Sequence, residues 1–158
     1  MKLIIGLGNP GKQYENTRHN VGYLVVDQLR KKNLPKDLVI KKTGAFMNES
    51  GKAVKNLTTN YQLPTTNLYV VHDDLDISLG QFKIQKGRGP KDHKGIQSVE
   101  DVLGTSEFWR VRIGVDNRDP ENRIPGEEYV LQEFTDEEKR IRDKVISEVI
   151  KDLVSKII

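Results

Sequence analysis

The sequence predicts a single α/β domain over residues 1–158, with a central mixed, mostly parallel sheet surrounded by helices. Three observations predict it. Short apolar runs alternate with amphipathic, helix-spaced segments, the order expected of parallel strands joined by right-handed crossovers. The chain contains no internal repeat and no low-complexity linker, so one core accounts for its length. Polar clusters follow directly on two of the apolar runs, where open α/β sheets place their sites.

The elements follow in chain order. Residues 2–7 read as a buried strand that enters a turn at Gly8-Asn9-Pro10-Gly11. Residues 20–32 set Val21, Leu24, Val25 and Leu29 at helical spacing, and residues 37–42 suit a short strand. Asn48 or Ser50 is a candidate cap for a helix to about Tyr61, with Ala53, Val54 and Leu57 inward. Residues 67–72 form a second apolar strand that stops at Asp73-Asp74-Leu75-Asp76. Residues 80–86 alternate like an antiparallel strand, 97–103 form a short helix and 109–115 another strand. The final helix, over 135–158, opens on a capping box of Thr135 and Glu138. Its apolar stripe is Ile141, Val145, Val149, Leu153 and Ile157.

Composition narrows the function. The absence of cysteine removes disulfides and thiolate metal sites and suits a reducing compartment. The opening apolar run is too short for a signal peptide, and no run is long enough to span a bilayer. The expectation is a soluble cytoplasmic protein with no membrane association. The net charge of +3 hides an asymmetry: residues 1–118 carry 19 Lys and Arg against 12 Asp and Glu, whereas residues 119–158 carry 7 against 11. Lys83, Lys86, Arg88, Lys91 and Lys94 cluster after residue 80. Such a cluster attracts phosphate backbones with an affinity that falls with salt, unless it is only a solvated lysine-rich face.

Few residues can carry chemistry. Gly6-Leu7-Gly8-Asn9-Pro10-Gly11 matches a dinucleotide-binding glycine pattern. The predicted helix begins near Asn20, too late to aim its N-terminus at a pyrophosphate held by Gly8. His19, in a polar loop before that helix, can titrate near neutrality and serve as a general base. Its bland alternative is a loop histidine bonded to backbone. Asp73, at a strand end, can hold one ring nitrogen of His19 and fix its tautomer, or can merely form a turn. Asn9 and Asn48 are neutral amides able to support an oxyanion or orient water, with turn and cap roles as alternatives. The histidines at 19, 72 and 93 do not fall at zinc-ligand spacings, so no metal and no cofactor is expected.

At these residues the chain resembles the bacterial-type peptidyl-tRNA hydrolases. Gly6-Leu7-Gly8-Asn9-Pro10-Gly11 with Tyr14-Glu15-Asn16-Thr17-Arg18-His19-Asn20-Val21-Gly22 resembles the family's opening signature. Phe46-Met47-Asn48-Glu49-Ser50-Gly51, His72-Asp73-Asp74-Leu75-Asp76 and Arg110-Val111-Arg112-Ile113-Gly114-Val115 resemble later blocks, in family order over most of the chain. The resemblance implies a peptidyl-tRNA hydrolase-like fold and a monomeric, metal-independent esterase with no obligate protein partner. It recycles tRNA in translation by cutting the ester between a peptide and the tRNA 3′ end. It implies His19 as base paired with Asp73, and Asn9 as a further catalytic residue. Asn48 and Tyr14 then contact substrate at the cleft, with Phe46, Met47 and Lys94 expected beside them, while Lys83 and Arg112 bind tRNA; Lys86 and Arg88 are expected to bind tRNA from the basic cluster.

The chain also departs from the family pattern. The usual Gly-Gly-His-Asn-Gly loop end is carried by residues 87–95, where Lys94 replaces the asparagine and Pro90 stiffens the loop. Asp74 stands where glutamate is usual, and Gln85 where a second lysine is usual. The stretch between Lys32 and Gly44 is short. Three readings follow: a hydrolase with a reshaped peptide wall, an RNA-binding relative with weak or lost turnover, or a dinucleotide-binding protein.

Overall fold

The computed structural model describes residues 1–157; Ile158, the end of the last predicted helix, lies outside them. Five strands form one sheet: β1 (Lys2–Gly6), β2 (Leu38–Lys42), β3 (Leu68–Ser78), β4 (Phe82–Lys86) and β5 (Trp109–Asp116). Their order is β2-β1-β3-β5-β4, and all pairs are parallel except β4 with β5. The helices are α1 (Val21–Leu29), α2 (Ser50–Asn60), α3 (Lys94–Leu103), α4 (Gly126–Val130) and α5 (Asp136–Ile157).

Strand alternation divides the core into two layers. Leu3, Ile5, Leu68 and Val70 face a cluster with Val54 of α2 and Ile96 and Val99 of α3. Ile4, Tyr69, Val71, Val111 and Ile113 face the opposite cluster, with α1, α4 and α5. Burial on both faces explains why these strands read as unbroken apolar runs. The glycine pattern belongs to this packing. A Cβ on Gly6 would lie 2.5 Å from the carbonyl oxygen of Gly22, and one on Gly8 would lie 2.9 Å from the Tyr23 ring. These glycines let α1 lie directly on the sheet.

Several elements differ from expectation. β3 does not stop at Asp73; it continues to Ser78, with a shift in its pairing to β5 between Asp74 and Ser78. α2 is entered through a 3₁₀ turn over Met47–Glu49, and neither Asn48 nor Ser50 caps it; the Ser50 hydroxyl donates to the Met47 carbonyl at 2.6 Å. α3 starts at Lys94 rather than Gln97, capped by His93. The capping box of α5 forms as expected: Thr135 N–H donates to Glu138 Oε1 at 2.9 Å and Glu138 N–H to Thr135 Oγ1 at 3.2 Å. Val145, Val149 and Leu153 of its stripe are buried as expected and Ile157 packs against the core, but the stripe drifts, because each step of four residues overshoots a turn by roughly 40°. Val145, Ile146, Val149, Ile150 and Leu153 are buried, while Ile141 is 39% exposed.

Candidate active site

β1 has β2 on one side and β3 on the other, so the crossovers diverge there and leave a crevice at the carboxyl ends of the strands. The chain leaves β1 through Leu7, Gly8 and Asn9, and returns to α1 through a 3₁₀ turn over Arg18–Asn20. Asn20 clamps the near side of this loop. Its Nδ2 donates to the Asn9 carbonyl and its Oδ1 accepts from the Asn9 N–H, both at 2.9 Å. The Asn9 side chain is oriented in turn, because its Oδ1 accepts from Met47 N–H at 2.8 Å. Its Nδ2 has no protein partner among the described residues and remains a donor for the cleft.

Asp73 is the buried centre of the site. Its Oδ2 meets His19 Nδ1 and its Oδ1 meets His93 Nε2, both at 2.8 Å. His93 Nδ1 accepts from Ile96 N–H at 3.1 Å as the cap of α3. That bond assigns the His93 proton to Nε2, which donates to Asp73. His19 likewise donates from Nδ1, leaving its Nε2 lone pair without a protein partner among the described residues. The His19 side chain is 14% exposed, whereas those of Asp73 and His93 are 2% and 5% exposed.

Electrostatics support this protonation pattern. Burial alone would raise the Asp73 pKa, but the two histidines, by charge and hydrogen bond, hold it far below the usual carboxylate range. Burial pulls His19 down, and the Asp73 carboxylate more than offsets it, so the net shift is upward from 6.5; the Lys94 ammonium opposes part of that rise. His72, fully buried, is pushed down to about 3 by burial and then by its neighbour His93, so it stays neutral. Its Nδ1 donates to the Asp73 carbonyl at 2.8 Å. His19, Asp73 and His93 are also the residues among those described whose donor atoms could hold a metal, all within 4.8 Å of one another. Both Asp73 oxygens already accept ring N–H groups, so a cation here would compete with those hydrogen bonds.

Asn9, Tyr14, His19, Phe46, Met47, Asn48, Asp73 and Lys94 all line one cleft of about 610 Å³. Met47 is buried, whereas Phe46 is 51% exposed and meets Tyr14 edge-on at 6.3 Å between ring centres. Asn48 is exposed in the turn before α2. Lys94 lies in a helix rather than at the end of a loop. It opens α3 and reaches across the cleft to Glu127 of α4, 3.6 Å away, with both side chains mostly exposed.

A second groove of about 780 Å³ contains Lys83, Arg88 and Arg112 together with Lys91 and Arg123. Arg112 is less available than its sequence position suggests. Its Nε donates to Asp74 Oδ2 and its Nη1 to Gln85 Oε1, both at 2.7 Å. Gln85 can accept that bond, which a lysine could not. Lys86 falls outside this groove. Strand alternation turns it to the opposite face of β4, where its Nζ lies 6.0 Å from the centre of the Trp109 ring. The 87–95 loop is tied down: Lys91 N–H donates to Asp76 Oδ2 and Arg110 Nε to the Gly89 carbonyl, both at 3.0 Å.

Sequence reasoning missed His93 as a site residue. Its signal was present, since it occupies the histidine of the loop pattern. Only the fold brings it onto Asp73.

Comparisons with known proteins point to one family. A sequence model described as "Peptidyl-tRNA hydrolase" matches residues 3–158. The peptidyl-tRNA hydrolase of Persephonella marina is 42% identical over 164 residues, covering 93% of this chain and 86% of that protein. That of Aquifex aeolicus is 38% identical, covering 98% and 86%. A crystal structure of peptidyl-tRNA hydrolase from Acinetobacter baumannii superposes with a TM-score of 0.80 at 29% identity, over 98% of this chain and 88% of that one.

Proposed function

The chain belongs to the peptidyl-tRNA hydrolase family, an enzyme family of translation that hydrolyses peptidyl-tRNA, and from that premise we propose that His19 is the general base of the reaction. One observation carries this reading: the Nδ1 of His19 is bound to a buried carboxylate while its Nε2 opens into the cleft. Nε2 takes a proton from water as the water attacks the ester carbonyl. The imidazolium, stabilised by Asp73, then returns the proton to the departing 3′-oxygen, giving a free peptide acid and tRNA. Asn9 Nδ2 is the donor best oriented for the oxyanion, with Asn48, next to the Met47 that holds Asn9, as the second amide lining the cleft. Positioned base catalysis supplies roughly 10²–10⁴-fold and one oxyanion donor roughly 10²–10³-fold.

The basic groove holds the acceptor stem by its phosphates, which sets register without reading sequence. Lys83, Arg88 and Lys91 supply free cations there, while Arg112 shapes the wall more than it binds. The ester end lies in the cleft beside Tyr14 and Phe46. A monomeric enzyme without an obligate protein partner is part of this proposal. A substrate made on ribosomes supports a cytoplasmic location. No helix of the described residues is long and apolar enough to cross a membrane.

The test is the pH profile of kcat/KM for an N-acyl-aminoacyl-tRNA. Activity is expected to rise with pH through a single limb above 6.5, because only neutral His19 accepts a proton and its pKa is raised. A profile that stays flat across pH 5–9 would exclude histidine as the base. Lys94→Asn removes a cation that opposes the rise, so the limb moves further upward. Its exposed pair with Glu127 contributes at most about 1 kcal/mol, so Tm stays within a few degrees. Lys83→Ala and Arg88→Ala each raise KM, leave kcat within about two-fold and lower the salt slope of binding by about 1. A salt slope identical to wild type in both variants would move the tRNA contact elsewhere.

A further inference from the structure

The turn that carries His19 is pinned from a distance. Arg18, the residue before it, is 4% exposed, and its guanidinium lies 3.8 Å from the centre of the Tyr129 ring. Its Nη2 donates to Glu138 Oε1 at 2.7 Å and its Nη1 to the Tyr129 carbonyl at 2.9 Å. The backbone adds to the attachment: Arg18 N–H donates to the Gln132 carbonyl at 3.1 Å, and Thr17 forms an antiparallel bridge with Glu133.

Glu138 does more than a capping box requires. Such a box needs only the exchange with Thr135, made by a side chain that is commonly solvated. Here the carboxylate is 2% exposed, and its Oε2 also accepts from Asn117 Nδ2 at 3.1 Å. One carboxylate therefore joins the start of α5, the end of β5 and the turn beside His19. A buried ion pair is a weak net stabiliser, because desolvation cancels most of the attraction. Its worth lies in fixing one geometry.

We propose that Glu138 is a positioning residue for the hydrolysis, acting through Arg18 to hold the turn that aims His19 at Asp73 and its Nε2 into the cleft. The inference rests on His19 being the base. A misplacement of about 1 Å at a reacting group costs on the order of 10²-fold in rate, so a loosened turn is read in kcat.

The test is Glu138→Gln, which keeps the volume and the helix cap but weakens the hold on Arg18. Cleavage of an N-acyl-aminoacyl-tRNA is measured well below Tm, beside Val149→Ala, a core truncation in the same helix that lowers Tm without touching the turn. Expected for Glu138→Gln is a loss of about 10- to 100-fold in kcat with KM within two-fold. The acid limb should move down, because His19 spends less time on Asp73. Val149→Ala should keep wild-type kcat. A Glu138→Gln enzyme with normal kcat, a loss confined to KM, an unmoved limb, or an equal kcat loss in Val149→Ala each overturns the proposal. If Glu138→Gln fails to fold, Arg18→Lys takes its place. A lysine reaches Glu138 but cannot also span the Tyr129 carbonyl, and the same kcat loss is expected. His19→Ala in the same assay separates the two ideas. Full activity there removes the base, whereas an inactive His19→Ala beside a normal Glu138→Gln removes only the positioning role.

Discussion

Replacing His19 with alanine is expected to lower kcat/KM for an N-acyl-aminoacyl-tRNA by roughly 10²–10⁴-fold while the protein stays folded. The rate falls because no other histidine offers an unprotonated ring nitrogen to the cleft beside Asn9. His72 is buried with its Nδ1 on a carbonyl, and His93 uses both ring nitrogens on the protein. Stability changes little, because Asp73 keeps His93 and cleft water can replace the lost donor, at a cost of about 1 kcal/mol. The readouts are single-turnover cleavage and thermal melting on the same preparation. A melt many degrees lower with substantial residual cleavage would make His19 a structural residue.

Asp73→Asn is the sharper experiment, because its outcome follows from counting protons. The carboxylate accepts two ring N–H groups, one from each histidine. An asparagine offers one acceptor and one donor group. His93 cannot change tautomer, since its Nδ1 already accepts from Ile96, so it claims the amide oxygen. His19 then faces the amide N–H, must accept through Nδ1, and carries its proton on Nε2. The catalytic nitrogen is thereby no longer a base. Expected is a kcat loss on the order of 10⁴-fold with KM nearly unchanged, the pattern of a wrong-tautomer triad. Nitrogen-resolved NMR of His19 should show the proton moved from Nδ1 to Nε2. An Asp73→Asn enzyme within tenfold of wild type would mean that His19 does not depend on this carboxylate.

What was legible in the sequence follows from what local chemistry determines. The apolar runs of β1, β3 and β5 are buried on both faces, and such runs announce themselves. The Thr135 and Glu138 cap lies within one turn. His19 and Asp73 stood out because polar groups after buried strands need a reason. The failures share a cause: they depend on partners remote in sequence. β3 was expected to end at Asp73 because two adjacent carboxylates oppose burial. It continues because His19 and His93 compensate Asp73, and Arg112 offsets part of the burial cost of Asp74. His93 gains its role only when the cap of α3 is folded against β3. Arg18 and Glu138 stand 120 positions apart. The α5 stripe was legible at Val145, Val149 and Leu153; it missed Ile146 and Ile150 and misplaced Ile141 through counting in fours where a helix turns in 3.6 residues.

The continuation of β3 past Asp73 has a geometric effect. Leu75 and Asp76 line both the ester cleft and the basic groove, so one strand is at once the floor of the first and the wall of the second. The backbone of that strand therefore acts as a ruler between proposed phosphate contact and scissile bond. Loops at either rim can vary without changing its length. A substrate is then judged by the span from its phosphates to its ester, a distance every tRNA shares and a short ester lacks.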